Sequence, residues 1–102
     1  MKIQQFVLAM LCYMGTAAAG AMEGPSAQLG EKLFHSSALG SNGKSCASCH
    51  EGGKGLAEID AYDEEQLRVI VNACIRDALD GKLLSPESQE LDSLVLFLRS
   101  LA

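Results

Sequence analysis

The chain has 102 residues, enough for one domain, with 8 basic residues against 13 acidic ones and a formal net charge of −5. This acidity argues against nucleic acids and anionic membrane surfaces as partners, because both attract basic proteins. It suits a soluble protein that meets a basic patch on its partner, and simple solubility would explain it equally well.

The amino-terminal segment predicts a secretory signal peptide over residues 1–21. Lys2 supplies the positive charge, a mostly apolar run follows, and small residues lead to cleavage after Ala19 or Ala21. The apolar run is too short to span a bilayer, which takes about 20 residues. We therefore expect export to the bacterial periplasm, a single domain over 22–102, and no integral membrane segment.

A first helix is predicted to begin at the N-cap Ser26 and to end around residues 36–37. Its glycine, Gly30, costs a helix about 1 kcal/mol relative to alanine, which is reasonable where another helix crosses closely. The apolar face of this helix consists of Leu29, Leu33 and Phe34.

After a loop rich in glycine and serine comes Cys46-Ala47-Ser48-Cys49-His50, the attachment pattern of c-type haem. The thiols of Cys46 and Cys49 would each add to a haem vinyl group, and His50 would be the proximal iron ligand. Cytochrome c maturation takes place outside the cytoplasm, so the predicted export and the motif support each other. The pattern predicts one covalent haem c as the cofactor.

The motif has two alternative readings, a zinc site and a redox dithiol. Zinc would take Cys46, Cys49 and His50 with a fourth ligand such as Cys74, but zinc sites more often contain a second closely spaced cysteine pair. A thioredoxin-like dithiol expects a strand before and a helix after the cysteines, whereas the surroundings here are glycine-rich loop. Both alternatives are weaker than haem.

A second helix is predicted from Glu64 to Leu79, with Asp63 as N-cap, Gln66 completing a capping box, and Gly81 ending it. Its apolar residues recur at the spacing of one helix face.

A third helix is predicted to start at Ser85, with Pro86 at its first position. No segment predicts a strand strongly, so the expected fold is all-α. The buried stripe expected on this last helix is Leu91, Leu94, Val95, Leu98 and Leu101, flanked by Phe97.

Three stretches, 29–34, 39–50 and 72–97, resemble small bacterial class I cytochromes c over nearly all of the mature chain. The resemblance implies the class I cytochrome c fold, with three main helices packed around one covalently attached haem. It also implies that the first and last helices cross where Gly30 and Phe34 meet Phe97.

The sequence departs from this family at the sixth iron ligand, which in class I cytochromes is usually a methionine after the motif. No methionine lies beyond residue 22, and Leu91 stands where similar tails commonly have one. The leading candidate for a distal iron ligand is Cys74, because a similar helix carries a cysteine ligand in cytochromes of thiosulfate oxidation and the stretch 72–74 resembles thiosulfate dehydrogenases. Core packing or an intermolecular disulfide are the alternatives for this cysteine. The other candidates for the sixth position are His35, Asn72, Lys82 or no protein ligand.

The favoured function is electron transfer by a periplasmic monohaem cytochrome, with its electron port at the haem edge near Cys46, Ala47 and Gly53. The absent methionine predicts a lower potential. The alternative is a haem protein with an open or Cys74-ligated distal site that serves small-ligand or inorganic sulfur chemistry. The expected partners are redox proteins, and association with a larger oxidoreductase such as a dehydrogenase is a further alternative.

Overall fold

The computed structural model describes residues 24–102, so the predicted signal peptide lies outside the described residues. No strand forms between residues 24 and 102, which confirms the all-α prediction. The described residues form four α-helices: α1 (Ala27–Phe34), α2 (Cys46–Cys49), α3 (Glu64–Ala78) and α4 (Gln89–Ser100). Short 3₁₀ helices lie at Ser37–Leu39, Glu51–Gly53 and Ile59–Ala61.

Helix α1 begins as predicted, because the Ser26 hydroxyl accepts a hydrogen bond from the Leu29 N–H at 3.0 Å. It ends at Phe34, earlier than the predicted boundary at residues 36–37. The difference arises because Ser36 begins a new turn, in which its hydroxyl accepts from the Ala38 N–H at 3.0 Å.

The crossing of α1 and α4 confirms the role predicted for Gly30. A Cβ at Gly30 would collide with the Ser93 carbonyl oxygen and lie 2.7 Å from the Phe97 Cβ. The rings of Phe34 and Phe97 lie 5.2 Å apart at the same crossing. Ser93 is completely buried there, and its hydroxyl accepts from the Ser26 N–H at 3.0 Å. Backbone proximity therefore explains a glycine in the middle of this helix.

Helix α3 has the predicted capping box: Asp63 Oδ1 accepts from the Gln66 N–H at 2.8 Å, and the Gln66 side chain accepts from the Asp63 N–H at 2.9 Å. Its other end differs from the prediction. The residue with left-handed backbone is Asp80, at φ 54°, and the Gly81 N–H reaches back to the Ile75 carbonyl at 2.9 Å. Asp80 therefore reverses the chain, and Gly81 lets the next segment pass close to the helix.

The predicted start of the last helix was wrong. Residues 85–88 form a turn, closed by a 2.9 Å hydrogen bond from the Ser88 N–H to the Ser85 carbonyl. Helix α4 begins one turn later, where the Ser88 hydroxyl accepts from the Leu91 N–H at 3.1 Å. Leu101 was also predicted wrongly, because it lies beyond the helix and is 37% exposed.

The core lies between α1, α3 and α4. Arg68 of α3 joins α4 through a 2.6 Å ion pair with Asp92, in addition to its pairs with Glu64 and Glu65 on its own helix. No helix in residues 24–102 is long and apolar enough to cross a membrane. In the described part of the chain, the buried apolar side chains are Phe34, Ile59, Leu67, Val71, Ile75, Leu79, Leu91, Leu94, Val95 and Leu98.

Candidate haem-binding site

An apolar pocket opens between α2, α3 and α4. Its empty volume is about 690 Å³, a figure that includes space open to solvent. All four site residues predicted from the sequence, Cys46, Cys49, His50 and Cys74, line this pocket. The rest of the lining is Phe34, Ser45, Leu56, Ile59, Leu67, Ile70, Val71, Ala78, Leu79, Leu94 and Leu98.

The single turn of α2 brings the two motif cysteines onto one side. Residues three apart in a helix share a face, so Cys46 and Cys49 both meet the pocket. The turn is closed by the His50 N–H, which donates to the Cys46 carbonyl at 3.0 Å. At its start, the Ser48 hydroxyl accepts from the Ser45 N–H at 2.9 Å. The short helix is thus held by its own side chains and backbone.

The imidazole of His50 is oriented by the loop that follows it. Its Nδ1 lies 2.8 Å from the Lys54 carbonyl oxygen. A carbonyl can only accept, so Nδ1 carries the proton and Nε2 keeps its lone pair for a metal. An imidazole anchored in this way is suited to serve as an axial iron ligand.

The same loop depends on glycine. Gly52, Gly53 and Gly55 have positive φ angles of 64°, 83° and 83°, a region that side chains with a Cβ seldom adopt. A Cβ at Gly55 would lie 3.4 Å from His50 Nδ1. These glycines let the backbone turn tightly enough to bring the Lys54 carbonyl within hydrogen-bond distance of His50 Nδ1. The sequence alone did not reveal this interaction.

The residues present fit a c-type haem. The pocket presents three free thiols, those of Cys46, Cys49 and Cys74, and an anchored imidazole in surroundings that are otherwise almost wholly apolar. Within residues 24–102, no group of three or more histidine, cysteine or acidic residues is placed to hold a metal ion. Leu56 and Ile59, in the segment that follows the motif, also line the pocket.

Cys74 is on the face of α3 that meets the pocket, close to the motif. Partial burial raises the pKa of its thiol, and the nearby Asp77 and Cys49 raise it further. Burial likewise raises the pKa of Cys46, with Cys74 as the next contributor. In the protein without haem, these thiols are therefore neutral at physiological pH.

The other candidates for the sixth ligand lie elsewhere. The amide of Asn72 is hydrogen-bonded to the backbone of Leu84, donating to its carbonyl at 2.9 Å and accepting from its N–H at 2.8 Å. His35 is exposed and its Nδ1 contacts the Glu31 carbonyl at 3.0 Å. Lys82 is exposed on the connector before α4. None of these three lines the pocket, which leaves Cys74 as the candidate that does.

Comparison with known proteins identifies the family. A family model described as di-haem cytochrome c peroxidase matches residues 25–79, which span α1, the cysteine motif and α3 and make up more than half of the chain. No curated protein and no solved structure matches the chain. The match agrees with the all-α fold and with the c-type haem predicted from the motif. The chain therefore belongs to the di-haem cytochrome c peroxidase family and is a c-type cytochrome.

Proposed function

We propose that this protein is an exported, periplasmic electron carrier that holds one haem c through Cys46 and Cys49, with His50 as the axial iron ligand. The family is named for two haems, but these 102 residues contain a single Cys-x-x-Cys-His motif. One haem per chain is thus the number that the sequence supports. The acidic composition favours redox partners with a basic docking surface.

The observation that carries the proposal is the His50 imidazole, anchored at 2.8 Å to the Lys54 carbonyl in an apolar pocket beside two free thiols. Haem, when bound, supplies one-electron chemistry at its iron. The chain's own residues then have three tasks: Cys46 and Cys49 fix the haem, His50 ligates it, and the apolar walls exclude water. Those tasks are sufficient for an electron carrier.

A carrier is favoured over a peroxidase by what the pocket lacks. Cleavage of a peroxide bond is helped by a side chain that moves a proton. Among the described residues that line the main pocket, only the thiols, the Ser45 hydroxyl and the anchored His50 have an exchangeable proton. The carboxylate closest to this role is Glu58, an exposed residue in a second cavity that adjoins the first. We expect no peroxide turnover above that of free haem. Saturable turnover that disappears in Glu58→Gln would replace the carrier proposal with a peroxidase.

Covalent haem is tested by mass spectrometry of the full chain expressed with its leader and a cytochrome c maturation system. The expected mass is that of the processed chain plus one haem, and the colour should resist acid–acetone extraction. Cleavage after Ala19 or Ala21 and recovery from the periplasm are checked in the same sample. Extractable haem, or a second haem on the same chain, would contradict the proposal.

A second candidate function rests on the position of Cys74 in the haem pocket. A thiol beside the iron could ligate it or leave an open site, and either would suit small-ligand or inorganic sulfur chemistry, alone or as a subunit of a larger dehydrogenase. Ferric iron would favour thiolate by offsetting the raised pKa of the Cys74 thiol. Carbon monoxide distinguishes the candidates: a ferrous spectrum that it leaves unchanged favours the carrier, and one that it shifts favours ligand binding. Gel filtration of native extract tests the subunit.

A further inference from the structure

The loop before α2 caps the far end of α3. The Ser41 N–H donates to the Leu79 carbonyl at 2.9 Å, and the Ser41 hydroxyl donates to the Asp80 carbonyl at 2.7 Å. The Asn42 side-chain amide donates to the Ala78 carbonyl at 3.0 Å. The last carbonyls of a helix have no donors within it, so partners must come from elsewhere. We refer to residues 40–42 as the clamp.

Two glycines let the clamp lie directly against the helix end. A Cβ at Gly40 would collide with the Leu79 carbonyl oxygen. A Cβ at Gly81 would collide with the Leu39 carbonyl and lie 3.1 Å from the Gly40 Cα. In each case the added Cβ would strike a backbone carbonyl oxygen, so rotation of a flexible side chain could not relieve the collision. The spacing between loop and helix is therefore narrowly fixed.

The clamp sits where two walls of the haem pocket meet. Ala78 and Leu79, at the helix end that the clamp holds, line the pocket, and Cys74 lines it one turn earlier. On the other side, the loop runs in a few residues to Ser45 and Cys46, which also line the pocket. A movement of the clamp would thus change the distance between the α3 wall and the motif.

We propose that Ser41 and Asn42 are positioning residues that hold the α3 wall over the haem and so limit the access of solvent and small ligands to the iron. This inference rests on the proposed haem attachment at Cys46, Cys49 and His50. The hydrogen bonds act through α3 and do not touch the haem themselves. When the clamp opens, the helix end loses its donors and the pocket widens at its Ala78 end.

The test is the rate of imidazole binding to the ferric holoprotein. Asn42→Asp keeps the size of the side chain, removes the donor, and places a carboxylate against the negative end of the helix dipole. We expect imidazole to bind about tenfold faster, because the open state of the α3 wall becomes about tenfold more populated. Ser41→Ala should act in the same direction, and Ser41→Thr, which keeps the hydroxyl, should restore the original rates.

The control variant weakens the same helix at its other end. Asp63→Ala removes the N-cap of α3 without touching the clamp, so it should lower thermal stability and leave imidazole binding unchanged. The inference is overturned if Asn42→Asp and Ser41→Ala bind imidazole like the original protein, or if Asp63→Ala speeds binding equally. A chain that carries no covalent haem would instead show that the proposed function itself is wrong.

Discussion

Replacement of Gly30 by alanine tests the helix crossing on which the fold depends. In an open helix this change would stabilise by about 1 kcal/mol, because glycine is the poorer helix former. At Gly30 the added Cβ would collide with the Ser93 carbonyl oxygen and come within 2.7 Å of the Phe97 Cβ. The two effects have opposite signs, so the measurement decides between them.

The collision should outweigh the gain in helix propensity. The oxygen that is struck belongs to the backbone of α4, so α1 must move away as a whole. Such a shift loosens the 5.2 Å contact between Phe34 and Phe97 and the 3.0 Å hydrogen bond from the Ser26 N–H to Ser93. Overpacking of a close contact costs about 1–3 kcal/mol, and loss of the hydrogen bond adds about 1 kcal/mol. After the gain in propensity is subtracted, we expect a net loss of about 1–3 kcal/mol.

The assay is denaturant unfolding of the ferric holoprotein, followed by far-ultraviolet circular dichroism and by the haem absorbance. In a domain of this size the expected loss corresponds to a fall in Tm of about 5–20 °C. Gln28→Ala is the matched control, because Gln28 is an exposed position of the same helix and should change stability little. If Gly30→Ala proves as stable as the original protein or more so, the close crossing of α1 and α4 is wrong.

Three further predictions concern the site. His50→Ala should abolish the yield of holoprotein while leaving both thiols for attachment, and an unchanged ferrous spectrum would show that another residue ligates the iron. Cys74→Ser should alter the ferric spin state if Cys74 is a ligand. The control Ala78→Ser, on the same wall of the pocket, should leave the spin state unchanged. The charge-transfer band of methionine ligation should be absent from the original protein and from both variants. Gly55→Ala should cost about 1 kcal/mol in backbone strain and raise the midpoint potential, because the bond from His50 to the Lys54 carbonyl that favours the ferric form is disturbed. Gly43→Ala is the control, because Gly43 has a φ of 81° and an added Cβ there would contact nothing. This variant should lose stability through backbone strain and keep the original midpoint potential.

The sequence by itself determined the features that depend on neighbouring residues. The spacing of Cys46, Cys49 and His50 fits one helical turn, and this local geometry suffices to predict a haem motif. The capping box of α3 and the N-cap of α1 were also predicted correctly, since a side chain that caps a backbone N–H acts within three residues.

The start of α4 could not be chosen from local signals alone. Ser85 followed by Pro86 and Ser88 followed by Gln89 are both acceptable helix starts, three residues apart. Both serines take part in the observed structure, one as the beginning of a turn and the other as the N-cap. Burial of Leu91 in the core, with no exposed surface, accompanies the later start, and that depends on α1 and α3 rather than on the serines.

Only the tertiary structure decided which residues complete the haem pocket. The bond from Ser41 to Asp80 joins residues 39 positions apart, and no periodicity or motif reports such a contact. Cys74 was a candidate from the sequence, together with Asn72, and the packing of α3 separates the two. Cys74 lines the pocket, whereas the Asn72 amide is hydrogen-bonded to the Leu84 backbone. Local hydrogen bonds are encoded by adjacent residues, whereas a pocket wall is formed by distant segments whose approach is set by packing and by the glycines that permit it.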